Sequence, residues 1–190
     1  MVEKTSTRRR RDPERRREEV ITAAEEVLVE RGLSGLTHRA VAQKSGVTLG
    51  ATTYYFKTLD DIVQAALQRA ADRFAAYIDE FHQAQGFTRI EELIPALAEE
   101  LVKAYTVHRA QTAMEFELYT AAMRDDALRP IAERNMQTSI DSFARYTDPL
   151  TAQTLAAVAS GLTVRGMTTA TPPDREQVEA ILTRAYRATT

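Results

Sequence analysis

Cysteine is absent from this chain of 190 residues, which excludes disulfides and thiolate-ligated metal sites. No stretch approaches the ~20 consecutive apolar residues of a transmembrane helix, and no apolar segment follows the arginine-rich N-terminus as in a secretory signal. The seven glycines form neither GxGxxG nor a Walker loop, and the three histidines are far apart in sequence. We therefore expect no cofactor, metal or membrane association. An enzyme is disfavoured, and the cytoplasm is the default location.

The chain also lacks the apolar-polar alternation of β-strands and any internal repeat. With 44% hydrophobic and 27% charged residues, it can bury a core. Helical periodicity and turn signals predict an all-α fold of nine helices. The first begins after the capping residue Asp12 and ends at Gly32. The others are predicted at residues 37–45, 48–55, 58–85, 89–107, 109–124, 126–146, 151–169 and 174–188.

Positive charge is scarce in most of the chain and concentrated at its start. Residues 1–57 hold 12 Lys and Arg against 8 Asp and Glu, whereas residues 58–190 hold 13 against 19. This asymmetry predicts a DNA-binding head joined to an acidic body, because DNA affinity comes largely from neutralising phosphates. We divide the chain into a flexible basic arm at 1–11, a head at 12–57 and a body at 58–190. The arm is either a solvated tail or an additional DNA contact.

The head contains a helix-turn-helix pattern. Thr37 is suited to cap a short helix, Gly46 to the left-handed turn that follows, and Thr48 to cap a second helix. No acidic residue occurs from Arg39 to Thr58, as expected of a surface that meets phosphates. The second helix offers hydroxyl, aromatic and small groups at Thr48, Leu49, Thr53, Tyr54 and Tyr55.

This segment resembles the DNA-binding signature of the TetR family of bacterial transcriptional repressors. The matching residues are Thr37, Arg39, Val41, Ala42, Gly46, Val47, Thr48, Gly50, Tyr54, Tyr55 and Phe56, within a similar stretch from about residue 19 to 65. The resemblance implies base contacts by Arg39, Leu49, Gly50 and Thr53, with Thr48 and Tyr54 close by. It implies phosphate contacts by Thr37, His38, Tyr55 and Lys57. Thr53 stands where the family commonly has tyrosine, and Leu59 where it has a cation.

The middle of the body is rich in aromatic residues and methionine, interspersed with polar groups. Such a mixture is typical of a small-molecule pocket, although core packing explains many of these residues equally well. The resemblance implies a pocket between the long helix at 58–85 and the next helices. The candidate ligand-binding residues are Phe74, Tyr77, Phe81, Tyr105, His108, Met114, Glu115, Phe116, Tyr119, Asn135, Phe143 and Arg165.

The last two helices are candidates for dimerisation. The helix at 151–169 is poor in charge and rich in small residues, so it is expected to be covered, and the final helix has one apolar stripe. The resemblance implies a homodimer through these helices, which presents two recognition helices to a palindromic operator. The predicted function is a ligand-responsive dimeric repressor, released by a small, largely apolar effector. A ligand-independent architectural DNA-binding protein and, more remotely, a helical-bundle enzyme or carrier remain alternatives.

Overall fold

The computed structural model describes residues 12–189, so the basic arm predicted at 1–11 lies outside the described residues. Within this range the chain forms nine α-helices and one 3₁₀ turn, with no β-strand, which confirms the all-α prediction. None of the described helices is both long and apolar enough to cross a membrane. The helices are α1 (Pro13–Gly35), α2 (His38–Ser45), α3 (Leu49–Tyr55), α4 (Leu59–Gln85), α5 (Ile90–Thr106), α6 (Arg109–Ala122), α7 (Arg129–Ala144), α8 (Pro149–Thr168) and α9 (Arg175–Thr189).

The chain divides into two compact units, the first ending at Ala66 and the second beginning at Leu67. The boundary falls inside α4, whose 27 residues make it the longest of the described helices. At ~1.5 Å per residue, α4 is about 40 Å long. One continuous helix therefore belongs to both units.

In the first unit, α1 begins as its sequence predicts. The Asp12 side chain accepts a hydrogen bond from the Glu14 N–H at 3.1 Å, and Pro13 occupies the first helical position. Gly32 has φ 67° and ψ −178°, which interrupts the regular helix, and one further turn continues to Gly35. The apolar side chains of α1, among them Val20 and Leu28, are buried against α2 and the rest of this unit.

Two predicted helix starts in the second unit were wrong. The range 126–146 is split: Asp126–Leu128 is a 3₁₀ turn capped by Asp125, and α7 begins at Arg129. Helix α8 begins at Pro149, two residues before the predicted start, because Asp148 accepts hydrogen bonds from the N–H groups of Leu150 and Thr151 at 3.0 and 3.2 Å. Proline at the first position of a helix loses no backbone hydrogen bond.

The core of the second unit is formed by α5, α7, α8 and α9. Leu93, Phe143, Leu155 and Leu182 are among its buried side chains. Full burial of each such side chain contributes about 1.5 to 3 kcal/mol relative to exposure. This core includes α5 and α7, two of the helices that line the cavity described below.

A buried polar cluster joins α4 to α7. His82, only 5% exposed, hydrogen-bonds the Tyr146 hydroxyl through Nδ1 at 2.8 Å and the Ser142 hydroxyl through Nε2 at 2.7 Å. Burial lowers the pKa of His82 from its usual 6.5, and the charge of Arg145 lowers it further, whereas Asp79 opposes the shift. The folded protein thus favours neutral His82.

This shift predicts a pH-dependent stability. Because the unfolded state binds a proton more readily, the stabilisation due to neutral His82 is present above pH 6.5 and is lost as the pH falls through the lowered folded value. We expect chemical denaturation of the wild type between pH 7 and 5 to show a loss of free energy of unfolding that His82→Gln reduces. Identical pH profiles for the two proteins would show that His82 is not the group responsible.

Candidate nucleic-acid interface and ligand cavity

The α2–turn–α3 segment is built by the caps that the sequence predicts. The Thr37 Oγ1 accepts a hydrogen bond from the Ala40 N–H at 3.0 Å, and Gly46 follows α2 with a left-handed backbone at φ 69°. The Thr48 Oγ1 then accepts from the Ala51 N–H at 3.2 Å and starts α3. Val41 and Val47 are buried beneath the turn and fix α2 and α3 against each other.

Helix α3 has one buried side and one open side. Thr52 is completely buried, and its hydroxyl donates to the Leu49 carbonyl at 2.8 Å. Gly50 and Thr53 are exposed, and no atom of the described residues lies within 4 Å of the position that a Gly50 Cβ would occupy. Leu49 and Tyr54 are large hydrophobic side chains, yet they are 47% and 79% exposed. The open side therefore presents contact groups that the fold itself does not use.

The three consecutive aromatic residues diverge as the helical period requires. Tyr54 points to solvent, Tyr55 is half-buried with its ring edge-on to Tyr54 at 5.2 Å, and Phe56 is only 3% exposed. The Arg17 guanidinium lies over the Phe56 ring, 5.1 Å from its centroid. Phe56 thus anchors the segment, whereas Tyr54 and Tyr55 remain available for contacts outside it.

The cations of this surface differ in their availability. Lys44 forms ion pairs with Glu30 and, at 3.4 Å, with Glu26, and the hydrogen bond to Glu30 raises the pKa of Lys44. Arg39 and Lys57 are exposed, and the structure shows no ion pair for Arg39 among residues 12–189. His38 is half-buried, with a buried Nδ1 that has no hydrogen-bond partner. Arg39 is therefore the cation of α2 that is free to meet DNA.

The second unit contains a cavity of about 360 Å³. Most of its wall consists of one face of α4 and one face of α6, and the latter face includes His108, the residue just before α6. The lining residues are Leu67, Ala70, Ala71, Arg73, Phe74 and Tyr77 of α4, Glu100 and Ala104 of α5, His108, Gln111, Thr112, Met114, Glu115 and Leu118 at α6, and Asn135 of α7. Its volume is within the range of small-molecule sites.

One polar cluster in this cavity contains an acid that has no cationic partner within residues 12–189. The Asn135 Nδ2 donates to the Glu115 Oε1 at 2.9 Å and to the Tyr119 hydroxyl at 2.8 Å. Burial raises the pKa of Glu115, which the hydrogen bonds from Asn135 and Tyr119 oppose. Burial, together with the nearby Glu115, raises the pKa of Tyr119 to about 12. The cluster is thus strongly desolvated.

A second polar cluster, on the α4 and α5 side, contains an acid with a cationic partner, Lys103, which also pairs with Glu99. The Tyr77 hydroxyl donates to Glu100, and the Lys103 Nζ donates to the same carboxylate at 2.9 Å. Burial and the hydrogen bond to Glu100 raise the pKa of Tyr77 to about 12. Although burial raises the pKa of Glu100, the contacts from Tyr77 and Lys103 outweigh it, so the net shift is downward and this acid stays ionised.

Comparison with known proteins decides the family. Residues 20–66 match the family described as bacterial regulatory proteins, tetR family, and residues 88–188 match the tetracyclin repressor-like C-terminal domain. The structure of SCO1917, a TetR-family member from Streptomyces coelicolor A3, is 40% identical with a TM-score of 0.76, covering 90% of this chain and 97% of that one. The chain belongs to the TetR family. It is a transcriptional regulator with a DNA-binding helix-turn-helix and a ligand-binding domain.

Other relatives are ligand complexes. The multidrug binding protein EbrR with ethidium is 40% identical, with a TM-score of 0.77, and covers 90% of this chain and 97% of its own. The same protein with proflavin is 38% identical, with a TM-score of 0.75, and covers 90% and 99%. No protein with a curated annotation matches the chain.

The cavity of this TetR-family chain brings together six of the candidate ligand-binding residues: Phe74, Tyr77, His108, Met114, Glu115 and Asn135. Tyr119 does not line it but hydrogen-bonds Asn135 behind the wall. Sequence reasoning missed other wall residues, among them Gln111, Thr112 and Leu118. The signal was present, because 108, 111, 112, 115 and 118 share one face of a helix.

The structure places the other five candidates elsewhere. Phe143 is part of the core of α5, α7, α8 and α9, and Phe81 packs against that core beside Phe87. The Tyr105 hydroxyl donates to the Pro173 carbonyl at 2.6 Å, in a buried contact away from the cavity. Phe116 lies beside the Tyr119 ring, with centroids 5.8 Å apart, and Arg165 is exposed on α8. None of these five lines the cavity, so we omit them from the proposed binding site.

Proposed function

We propose that this TetR-family regulator is a cytoplasmic, dimeric repressor. In this proposal its two α3 helices bind the half-sites of a palindromic operator, and a small, largely apolar effector in the α4–α7 cavity releases it. The observation that carries the proposal is the pairing of an open, acid-free α3 surface in one unit with a partly polar cavity in the other. A second unit without a cavity would have favoured a ligand-independent architectural protein. EbrR, a relative that binds ethidium and proflavin, supports an aromatic effector for this chain as well.

The effector is proposed to act through α4. Helix α4 contributes six residues to the cavity wall, and the same helix begins in the unit that contains α2 and α3. A ligand that changes the position of α4 would alter the separation of the two α3 helices in a dimer, and half-sites lie at a fixed spacing. Release then requires that the effector bind the two arrangements with different affinities.

Dimerisation is proposed to use α8 and α9. One stripe of α8 is apolar or small yet exposed, including Leu150 (71% exposed), Ala157, Gly161 and Val164 (42% exposed). The opposite side of α8 packs into the core of the second unit through Leu155 and other residues. A helix with two apolar sides is typical of a subunit interface, since the second side otherwise remains in water. The outward concavity along α9 is lined by that helix alone, which suits a partner surface and cannot enclose a small ligand.

The experiment that tests the proposal is a binding titration on the DNA around the protein's own coding region. A scrambled duplex serves as the control, and both are titrated over a range of salt concentrations. Selective binding with a steep salt dependence, reversed by a small aromatic ligand, would support the repressor function. Equal binding to both duplexes would favour the architectural alternative, and no binding at low salt would contradict a DNA-binding role.

Arg39 offers a sharper test of the DNA surface. We expect Arg39→Ala to weaken operator binding by about 1 to 3 kcal/mol and to relax specificity at one base pair. Lys44→Ala is the matched control on the same helix, because Lys44 is already paired with Glu26 and Glu30 and its loss should cost far less. Fluorescence anisotropy on the operator and its single-base variants measures both effects. Equal losses for the two variants would contradict a base contact by Arg39.

A further inference from the structure

The cavity wall contains a hydrogen-bond acceptor that the protein leaves unused. Asn135 is only 2% exposed, and both hydrogens of its Nδ2 are engaged, one by the Glu115 Oε1 and one by the Tyr119 hydroxyl. Its Oδ1 is buried and has no hydrogen-bond partner in the described part of the chain. Rotating the amide would turn Oδ1 towards Glu115, and an ionised carboxylate has no hydrogen to donate to it, so the observed orientation is the one that fits the ionised acid. Buried acceptors without partners are rare and costly, which marks this atom as one that awaits a donor.

The neighbouring Glu115 has hydrogen-bond donors but, among the described residues, no cation to balance its charge. Its partners are the neutral side chains of Asn135 and Tyr119, and within residues 12–189 no Lys, Arg or His is found in an ion pair with it. Glu100, the other acid of the wall, is instead paired with Lys103. A desolvated carboxyl group without a cation gains strongly from a charged partner that enters the cavity.

We propose that Glu115 and the Asn135 Oδ1 form a subsite for a cationic N–H group on an otherwise apolar effector. This inference rests on the proposed function, since it names the ligand class of the same cavity. The ammonium or iminium group pairs with Glu115 and donates its hydrogen to the Asn135 Oδ1. The apolar part packs among Phe74, Met114 and Leu118, in a space of about 360 Å³.

Cation binding at this subsite is coupled to the loss of a proton from Glu115. Burial raises the pKa of Glu115, so below that raised value binding of the cation displaces the proton of this acid, and affinity rises with pH over that range. The other ionisable groups that face the cavity are Arg73, Tyr77, Glu100 and His108. Arg73 and His108 are exposed, so solvent screens their charges. Tyr77 hydrogen-bonds Glu100, which is paired with Lys103.

Three probes that share a naphthylmethyl group separate charge from hydrogen bonding. The dimethylammonium has a charge and one N–H, the trimethylammonium has a charge and no N–H, and the methyl ether has neither. Calorimetric titration of the full-length wild type should rank the dimethylammonium first, with the trimethylammonium about 5- to 10-fold weaker. Both cations should bind more tightly as the pH rises through the raised pKa of Glu115, and the ether should show no such change.

The Glu115→Gln variant keeps an acceptor for the Asn135 Nδ2 and removes the charge. We expect it to bind the dimethylammonium at least about 10-fold more weakly, and to lose the pH dependence. Glu99→Gln is the control, since it makes the same change at an exposed acid of α5 that does not line the cavity, and it should change this affinity by less than about 3-fold because solvent screens that charge. A merely structural role of Glu115 would not discriminate between the probes. Without ligand, Glu115→Gln should melt at a higher temperature than the wild type at pH 8, which shows that it folds.

Two results would overturn the inference in different ways. If Glu115→Gln binds both cations as tightly as the wild type while the ether still releases the protein from DNA, the cationic subsite is absent although the effector role stands. If none of the three probes binds the folded wild type, the inference fails and the cavity no longer supports the proposed function.

Discussion

Replacement of Gly161 by arginine is expected to separate the dimer and to reduce operator affinity by about 100-fold or more, because two linked half-site contacts become one. Gly161 is exposed on the apolar stripe of α8, and within residues 12–189 no atom lies within 4 Å of the position that its Cβ would occupy. The protomer therefore accommodates a larger side chain. A second copy packed closely against this stripe does not, and the arginine would also bring a charge into an apolar interface.

Sedimentation and operator titration measure the two halves of this prediction. Gly161→Ala is the control, since a methyl group at this open position should leave the dimer intact and stabilise the helix by about 0.5 to 1 kcal/mol. Circular dichroism should show the same helix content for both variants. A Gly161→Arg protein that remains dimeric and binds the operator normally would place the interface elsewhere.

The elements that the sequence predicted well are those with strong local signals. Thr37, Gly46 and Thr48 determine caps and a turn through their own backbone chemistry, so the limits of α2 and α3 could be predicted within one residue. The starts of α7 and α8 were harder to place. Asp125 and Asp148 lie in gaps between the predicted helices, but Asp125 caps a 3₁₀ turn, so α7 begins three residues later than predicted, and Asp148 caps α8, which begins two residues earlier.

The cavity was only half predictable, and the reason is geometric. Phe74 and Phe143 are both aromatic residues on amphipathic helices, yet one lines the cavity and the other lies in the core. Periodicity identifies the apolar stripe of a helix but not the neighbour that the stripe faces, because that depends on how distant helices pack. The Glu115–Asn135 contact, which joins residues 20 apart in sequence, is of the same kind.

The second large effect is expected at Gly166, five residues after Gly161 on the same helix. Here a Cβ would lie 2.3 to 2.6 Å from the ring atoms Cδ1, Cγ and Cε1 of Tyr105, far inside van der Waals contact. The ring cannot withdraw freely, since Tyr105 is buried and its hydroxyl donates to the Pro173 carbonyl at 2.6 Å. We expect Gly166→Ala to lower the free energy of unfolding by about 2 to 3 kcal/mol, the upper part of the range for overpacked cores.

Urea denaturation of Gly166→Ala and Gly161→Ala compares the same substitution at a closed and an open position of α8. The free energy of unfolding should fall for Gly166→Ala, at the closed position, and should not fall for Gly161→Ala, at the open one. A double-mutant cycle with Tyr105→Ala then assigns the cause: in the Tyr105→Ala background, where the ring is absent, Gly166→Ala should cost little or should stabilise the helix. If the cost of Gly166→Ala persisted without the ring, the close approach of α8 to Tyr105 of α5 would not be what requires glycine at this position.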